Sequence, residues 1–362
     1  MTGFSVNATA LHAMGDQMVR LSEDTSAIYI HLLKIDPSVF DGVILGPLYG
    51  QFENVLESQT DNANRAQDNL WQASNAIYGA ANYYRETDRA QAAVFDATIP
   101  DSKTLPWTGI PESTDKPNVP AYAYVNDPQG RLNEPPSYEE EMSWKPSLES
   151  DIYNVPSAIR SVIQFVIGVD PLQKVEETIG GRWPEVRQIS DRFNNAAWAF
   201  RDCADNIQNW QISSQKDWTG DAADSARNYL VLLANGFYGE YLRNEYLADQ
   251  VKSLAEGAFE TMKVLADIAS DWINGKLLPA LLSILKAGGV EEVPFLDLVM
   301  DGAAGYKVYE VIHAGLEVYD QANKINNMIE ALRNAFNLLL NNTLPTAAPL
   351  MPTNIWIPPV AG

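Results

Sequence analysis

The feature that most constrains this chain is a Trp-x-Gly turn running straight into a helix start: Asp217-Trp218-Thr219-Gly220-Asp221-Ala222-Ala223-Asp224-Ser225-Ala226. Trp218 is large and apolar, so at a helix–helix corner it needs an apolar slot. Gly220 supplies the backbone freedom of a tight turn. Asp221 is the expected N-cap and places negative charge at the positive end of the next helix. Ala222, Ala223 and Ala226 permit close approach of a neighbouring helix. With 9 Trp and 22 Gly in 362 residues, chance alone gives roughly half of one such triplet. A second, Trp107-Thr108-Gly109, sits in a proline-rich stretch. The flanks of Trp218 therefore carry the weight.

Those flanks are long and periodic. Ile189, Phe193, Ala196, Phe200, Cys203, Ile207 and Trp210 alternate spacings of four and three. Downstream, Ala226, Leu230, Leu233, Phe237, Leu247, Val251, Leu254, Ala258, Met262, Leu265 and Ile268 continue such a stripe, with a polar gap near Asn244. This spacing lines one face of a helix. Trp183-Pro184 marks the upstream start. The downstream helix is predicted over 221–274, about 80 Å long, and needs neighbours along its length.

The N-terminus repeats the design. Leu11, Met14, Met18, Leu21, Ile28 and Leu32 mark one helix. Leu56, Ala63, Ala66, Leu70, Ala73, Ile77, Ala80 and Tyr84 mark its partner, with the turn near 36–50. The expected organisation is a helical hairpin over 1–97, a proline-rich connector over 98–150 and a second hairpin over 151–275. An apolar helical extension over 276–342 and a proline-rich, uncharged tail over 343–362 complete it. The connector holds nine prolines between Pro100 and Pro146, which favours extended chain, part of it laid along the bundle. Short helices are expected over 156–168 and 171–179, and a helical stretch over 293–340 with breaks near 302–305 and 323. The predicted fold class is all-α, an elongated antiparallel bundle.

Net charge is −22, which disfavours nucleic acid and electrostatic docking to anionic lipid. Cys203 falls on an apolar stripe and reads as a small buried hydrophobe. The first residues carry no cationic region and apolar core, so no cleavable signal peptide is expected. No run of 18 or more apolar residues marks a membrane span. His12, His31 and His313 show no metal-ligand spacing to a carboxylate or cysteine, and Gly288-Gly289 lacks the Lys-Ser/Thr of a phosphate loop. Acidic pairs such as Glu291-Glu292 read as solvated surface. The expectation is no enzyme, catalytic residue, metal or cofactor.

Two hairpins, a Trp-x-Gly tip and a Tyr-x-x-x-Asp motif together resemble substrates of the actinobacterial type VII (ESX) secretion systems. The second motif is Tyr84-Arg85-Glu86-Thr87-Asp88, at the end of the first hairpin. The bare pattern recurs at Tyr49/Glu53, Tyr241/Glu245 and Tyr306/Glu310, and chance places about two of them. Only Tyr84/Asp88 has the family position. At i and i+4 the phenol and carboxylate are expected on one helix face. Residues 46–88 look like an EspC-type hairpin, and the order of parts resembles EspB-like proteins, in which PE-like and PPE-like halves are fused. The resemblance covers residues 5–275; the helical 275–340 region departs from the family's low-complexity tail.

The resemblance implies a secreted, non-enzymatic helical protein whose export signal joins Tyr84 and Asp88 to Trp218 and Gly220. Its implied partners are a type VII secretion ATPase or chaperone, together with copies of itself at the cell envelope. Two other classes fit the composition. One is an α-helical membrane-active protein using apolar segments 155–169 and 277–313, whose competing reading is buried core. The other is the delivery half of a toxin.

Overall fold

The computed structural model describes residues 4–42, 44–87, 89–99, 105, 122–142, 155, 160, 164, 168–179, 181–277, 279, 302–344 and 348–354. Among them the fold is an all-α bundle with a single two-residue β pairing. Helix α1 (Ala8–Leu33) starts under Asn7, whose side-chain oxygen accepts from the Ala10 amide at 3.2 Å. It buries Leu11, Met14, Met18, Leu21, Ile28 and Leu32, the stripe its spacing predicts. A turn containing a short 3-10 segment (Pro37–Phe40) leads to α2 (Gly46–Glu86). The two helices approach closely at Gly15, where a Cβ would stand 2.6 Å from the Tyr78 ring. A short α3 (Arg89–Asp96) follows, and α4 (Pro171–Ile179) precedes the second hairpin.

That hairpin is α5 (Trp183–Asp217) and α6 (Asp221–Ser270), joined by the Trp-x-Gly turn. Pro184 sits in the first turn of α5, where its missing N–H leaves no bond unmade. Helix α6 has 50 residues, about 75 Å. It stops at Ser270 and passes into a π-helical segment (Asp271–Leu277), short of the single α-helix expected to 274. Helix α7 (Gly302–Leu340) runs without the expected breaks near 302–305 and 323. Packing overrides the weak helix formers: Val318, Ala322, Ile325 and Ile329 are all buried on α7.

The extension is thus a working part of the bundle, packed along α6 and reaching α2. Its Phe336 ring lies 5.8 Å from Phe52 of α2 and 6.5 Å from Phe40. Phe52 also meets Phe193 of α5 edge-on at 6.2 Å. One buried ring thereby touches both hairpins and α7, and burying each such ring contributes about 1.5–3 kcal/mol. A smaller core joins α4, the π-helical segment and α7 through Leu172, Val175, Trp272, Ile273 and Val318.

Residues 122–142, the longest described stretch of the connector, form a strap running antiparallel to α5. Asn206 accepts from the Val125 amide at 2.7 Å and donates to the Asn126 carbonyl at 3.0 Å. Arg131 pairs with Asp202 at 2.7 Å, and Asn195 donates to the Asn133 carbonyl at 2.9 Å. Tyr138 donates to Asp191 at 2.6 Å. Glu134 bridges Lys34 of α1 at 2.6 Å and Arg192 of α5 at 2.5 Å. These two cations hold the Glu134 carboxyl down to about 2. Side chains of α5 supply the partners that a sheet would otherwise give this proline-containing backbone.

His31 lies beneath that bridge, 3% exposed. Burial first, then the Arg192 charge, lowers its pKa to about 4. Between pH 4 and 6.5 the unfolded chain binds a proton that the folded chain refuses, so stability falls as pH drops through this window. The full effect is on the order of 3 kcal/mol. Urea unfolding of wild type and His31→Gln at pH 7 and pH 4.5 checks this. The variant should lose most of the extra acid sensitivity of the wild type; equal sensitivity in both would place the effect elsewhere.

Candidate functional site

All four hairpin ends that matter converge at one pole: the start of α1, the end of α2, the end of α5 and the start of α6. Strand β1 (Ser5–Val6) pairs antiparallel with β2 (Trp218–Thr219), setting Ser5 opposite Thr219 and Val6 opposite Trp218. Their hydroxyls, on Ser5 and Thr219, are 2.8 Å apart. The Asn7 amide donates to the Asp217 carbonyl at 2.7 Å, and the Tyr122 hydroxyl reaches the Asp217 carboxylate at 3.1 Å. Arg227 donates to the Trp218 carbonyl at 2.7 Å and also binds Asp224. Residues 5–7 are therefore stitched to a turn more than two hundred positions away.

Trp218 is 1% exposed and fills the slot its size demands. Its ring meets Tyr84 edge-on at 6.0 Å. Tyr84 in turn contacts Phe4 at 5.6 Å and Tyr83 at 5.4 Å, and Tyr83 contacts Phe95 at 5.9 Å. Burial, followed by the Asp96 charge, pushes the Tyr84 phenol up to about 12. At neutral pH it stays protonated, so it acts as a hydrogen-bonding and packing group rather than a base.

Gly220 has φ 124° and ψ 178°, a region open essentially to glycine alone. It is the N-cap of α6, displacing Asp221 from the role expected for it; Asp221 is instead the first residue of the helix. The cap comes from elsewhere in the chain. Asp96, the last residue of α3, accepts from the Asp221 amide at 3.0 Å and the Ala222 amide at 3.0 Å. A Cβ on Gly220 would collide with that same carboxylate. Glycine is thus required twice, once by the backbone and once by the cap. Asp96 is 5% exposed and faces the positive end of the longest helix in the bundle.

The structure brings Tyr84, Trp218 and Gly220 together. Asp88 lies outside the described residues, as does Trp107-Thr108-Gly109. Helix α2 ends at Glu86, two residues past Tyr84, and Thr87 is extended with φ −98° and ψ 139°. Two other copies of the pattern show the helical one-face geometry. Tyr49 donates to Glu53 at 2.6 Å, and Tyr241 to Glu245 at 2.5 Å. Beside the junction lies an open groove of about 420 Å³ lined by Phe4, Tyr84, Thr87, Ala92 and Lys216.

Asp96, Ser5, Val6 and Tyr122 escaped the sequence reading. A two-residue strand carries no readable period, and a cap supplied from 125 positions upstream carries no local spacing signal. His12 stands 3.5 Å from the Asp16 carboxylate one helical turn on. Tyr78 donates to that carboxylate at 2.7 Å. Among the described residues, no group of three or more His, Cys, Asp or Glu is placed to hold a metal ion. Cys203 is fully buried, and burial raises its thiol well above the usual range. No helix of the described residues is long and apolar enough to cross a membrane; residues 280–301 lie outside them. No family model, curated protein or solved structure matches the chain.

Removing the cap by Asp96→Ala should cost about 1–2 kcal/mol of stability. Gly220→Val should cost more, because about 1–3 kcal/mol of backbone strain adds to displacement of the Asp96 carboxylate. Chemical denaturation followed by helicity checks both. If Gly220→Val matched wild type, the junction geometry would be wrong.

Proposed function

We propose that this chain is a non-enzymatic helical protein exported by a type VII (ESX) secretion system. It acts after export by self-association or partner binding at the cell envelope or outside the cell. The observation that carries the reading is the contact between Tyr84 and Trp218, ring centroids 6.0 Å apart, across two hairpins fused in one chain. Tyr84 and the Trp218–Gly220 turn, distant in sequence, meet at one pole of the bundle, and this pole is the surface a secretion ATPase or chaperone would engage. Gly220 and Asp96 fix the turn that seats Trp218 against Tyr84. Among the described residues this pole offers aromatic and hydrogen-bonding groups without a nucleophile–base pair, which fits recognition better than catalysis. In this reading no cofactor is used, and the acidic surface meets protein rather than nucleic acid.

Export from an actinobacterial host tests the proposal. Tyr84→Phe keeps the ring against Trp218, whereas Tyr84→Ala removes it, and Asp88→Ala removes the carboxylate of the motif. Tyr84→Ala and Asp88→Ala should reduce export at least about tenfold, while folded protein accumulates inside. That loss corresponds to about 1.4 kcal/mol of recognition. Tyr84→Phe should separate the hydroxyl's share from that of the ring. Normal export of Tyr84→Ala and Asp88→Ala, or a wild-type chain that never leaves the cell, would refute the reading.

A further inference from the structure

The polar gap around Asn244 marks a second constructed surface, remote from the motif residues. Residues 348–354 of the tail lie across α6 and α2. Met351 is buried there at 3% exposure, while the neighbouring Leu350 points outward at 61%. Two side chains grip the tail's backbone. Arg243 donates to the Ala348 carbonyl at 3.0 Å, and Asn69 donates to the Pro352 carbonyl at 2.9 Å. Both donors are themselves buried, 3% and 5% exposed. Arg243 is positioned by Glu240 at 2.7 Å, and Glu240 accepts from Asn62 of α2 at 3.3 Å. Asn244 donates to Gln59 at 3.0 Å and closes the network.

The floor of this surface is cut for a backbone. Gly236 and Gly239 stand three apart on α6, on one face. A Cβ on Gly239 would collide with the Pro349 carbonyl oxygen. One on Gly236 would stand 2.9 Å from the Met351 Cα and 3.1 Å from the Pro352 ring. Each glycine costs the helix roughly 0.5–1 kcal/mol relative to alanine, and the close approach of the tail is what they permit. The groove therefore reads two carbonyls, accepts one apolar side chain and leaves room for two prolines at i and i+3. Pro349-Leu350-Met351-Pro352 meets those requirements, in the manner of proline-rich recognition.

We infer that this groove is a peptide-docking site for uncharged Pro-x-apolar-Pro segments, filled in cis by the chain's own tail, and that the tail of a second copy exchanges into it. Among the described residues 348–354 the anchoring is one buried side chain and two side-chain-to-carbonyl bonds, contacts small enough for a competing copy to replace. An identical tail from another copy remakes identical contacts, and the choice between copies then falls to concentration. A short tether sets an effective concentration on the order of millimolar, so crowding favours exchange. Asn342, with φ 52°, lies in the turn that follows α7. This inference is independent of the export reading.

The test uses the full chain and a fluorescent peptide of residues 348–354, followed by anisotropy. Met351→Asp weakens the cis competitor and should bind the peptide about tenfold or more tighter than wild type. Adding Gly239→Val should abolish that binding, while Leu350→Asp should behave as wild type. A second measurement leaves the fold intact: photo-methionine at position 351, in mixed isotopically heavy and light copies. Heavy–light cross-links from the tail to α6 should rise with concentration and vanish under excess peptide. Same-copy cross-links alone up to about 1 mM, or a folded Met351→Asp chain that binds the peptide no tighter than wild type, would overturn the inference.

Discussion

The carboxylate of Asp96 on the first two amides of α6 is the interaction on which the rest of this structure depends. A helix of 50 residues leaves its first amides unpaired and concentrates positive potential there. Its own N-cap does not satisfy them, because Gly220 has no side chain to accept from them. The cap arrives from the end of the first hairpin's follow-on helix instead. One pair of hydrogen bonds thereby fixes the position of α3 and the close of the Trp-x-Gly turn. Tyr84 then packs against Trp218, and Ser5–Val6 closes over the turn from the other side. The two hairpins behave as one body because their ends are mutually unfinished.

The long helices were legible because their apolar stripes are long. The buried set of α5 includes Ile189, Phe193, Ala196, Phe200, Cys203, Ile207 and Trp210, the residues that the three–four spacing picks out. The turn at Trp218 was legible because glycine and tryptophan have specific requirements. The polar gap near Asn244 could be seen, but its reason could not. Glu240, Arg243 and Asn244 are buried together because a tail more than a hundred positions later needs carbonyl donors there. Asp96 was illegible for a similar reason: nothing in its neighbourhood separates a carboxylate that caps a distant helix from one that is solvated.

Helix ends were misread where tertiary contacts outweigh local preference. Helix α6 was expected to run on to 274, yet it stops at Ser270 and passes into the π-helical segment, where Trp272 and Ile273 are buried. Helix α7 crosses Gly305 and Asn323 unbroken because one of its faces is buried against α6 and α2. The connector shows the converse. Its prolines forbid a helix, and α5 answers with a ladder of asparagine, arginine and aspartate side chains that satisfies an irregular backbone. Polar residues on a bundle helix here mark where something non-helical lies against it.

Amide hydrogen exchange at single-residue resolution tests the central claim most directly. The account predicts that the amides of Asn7, Asp221 and Ala222 are protected nearly as well as the middle of α5, and that all three open together. Exchange of these amides at the rate of unstructured chain, with α5 and α6 still protected, would contradict it. The pole would then be a frayed end rather than the junction that unites the two hairpins.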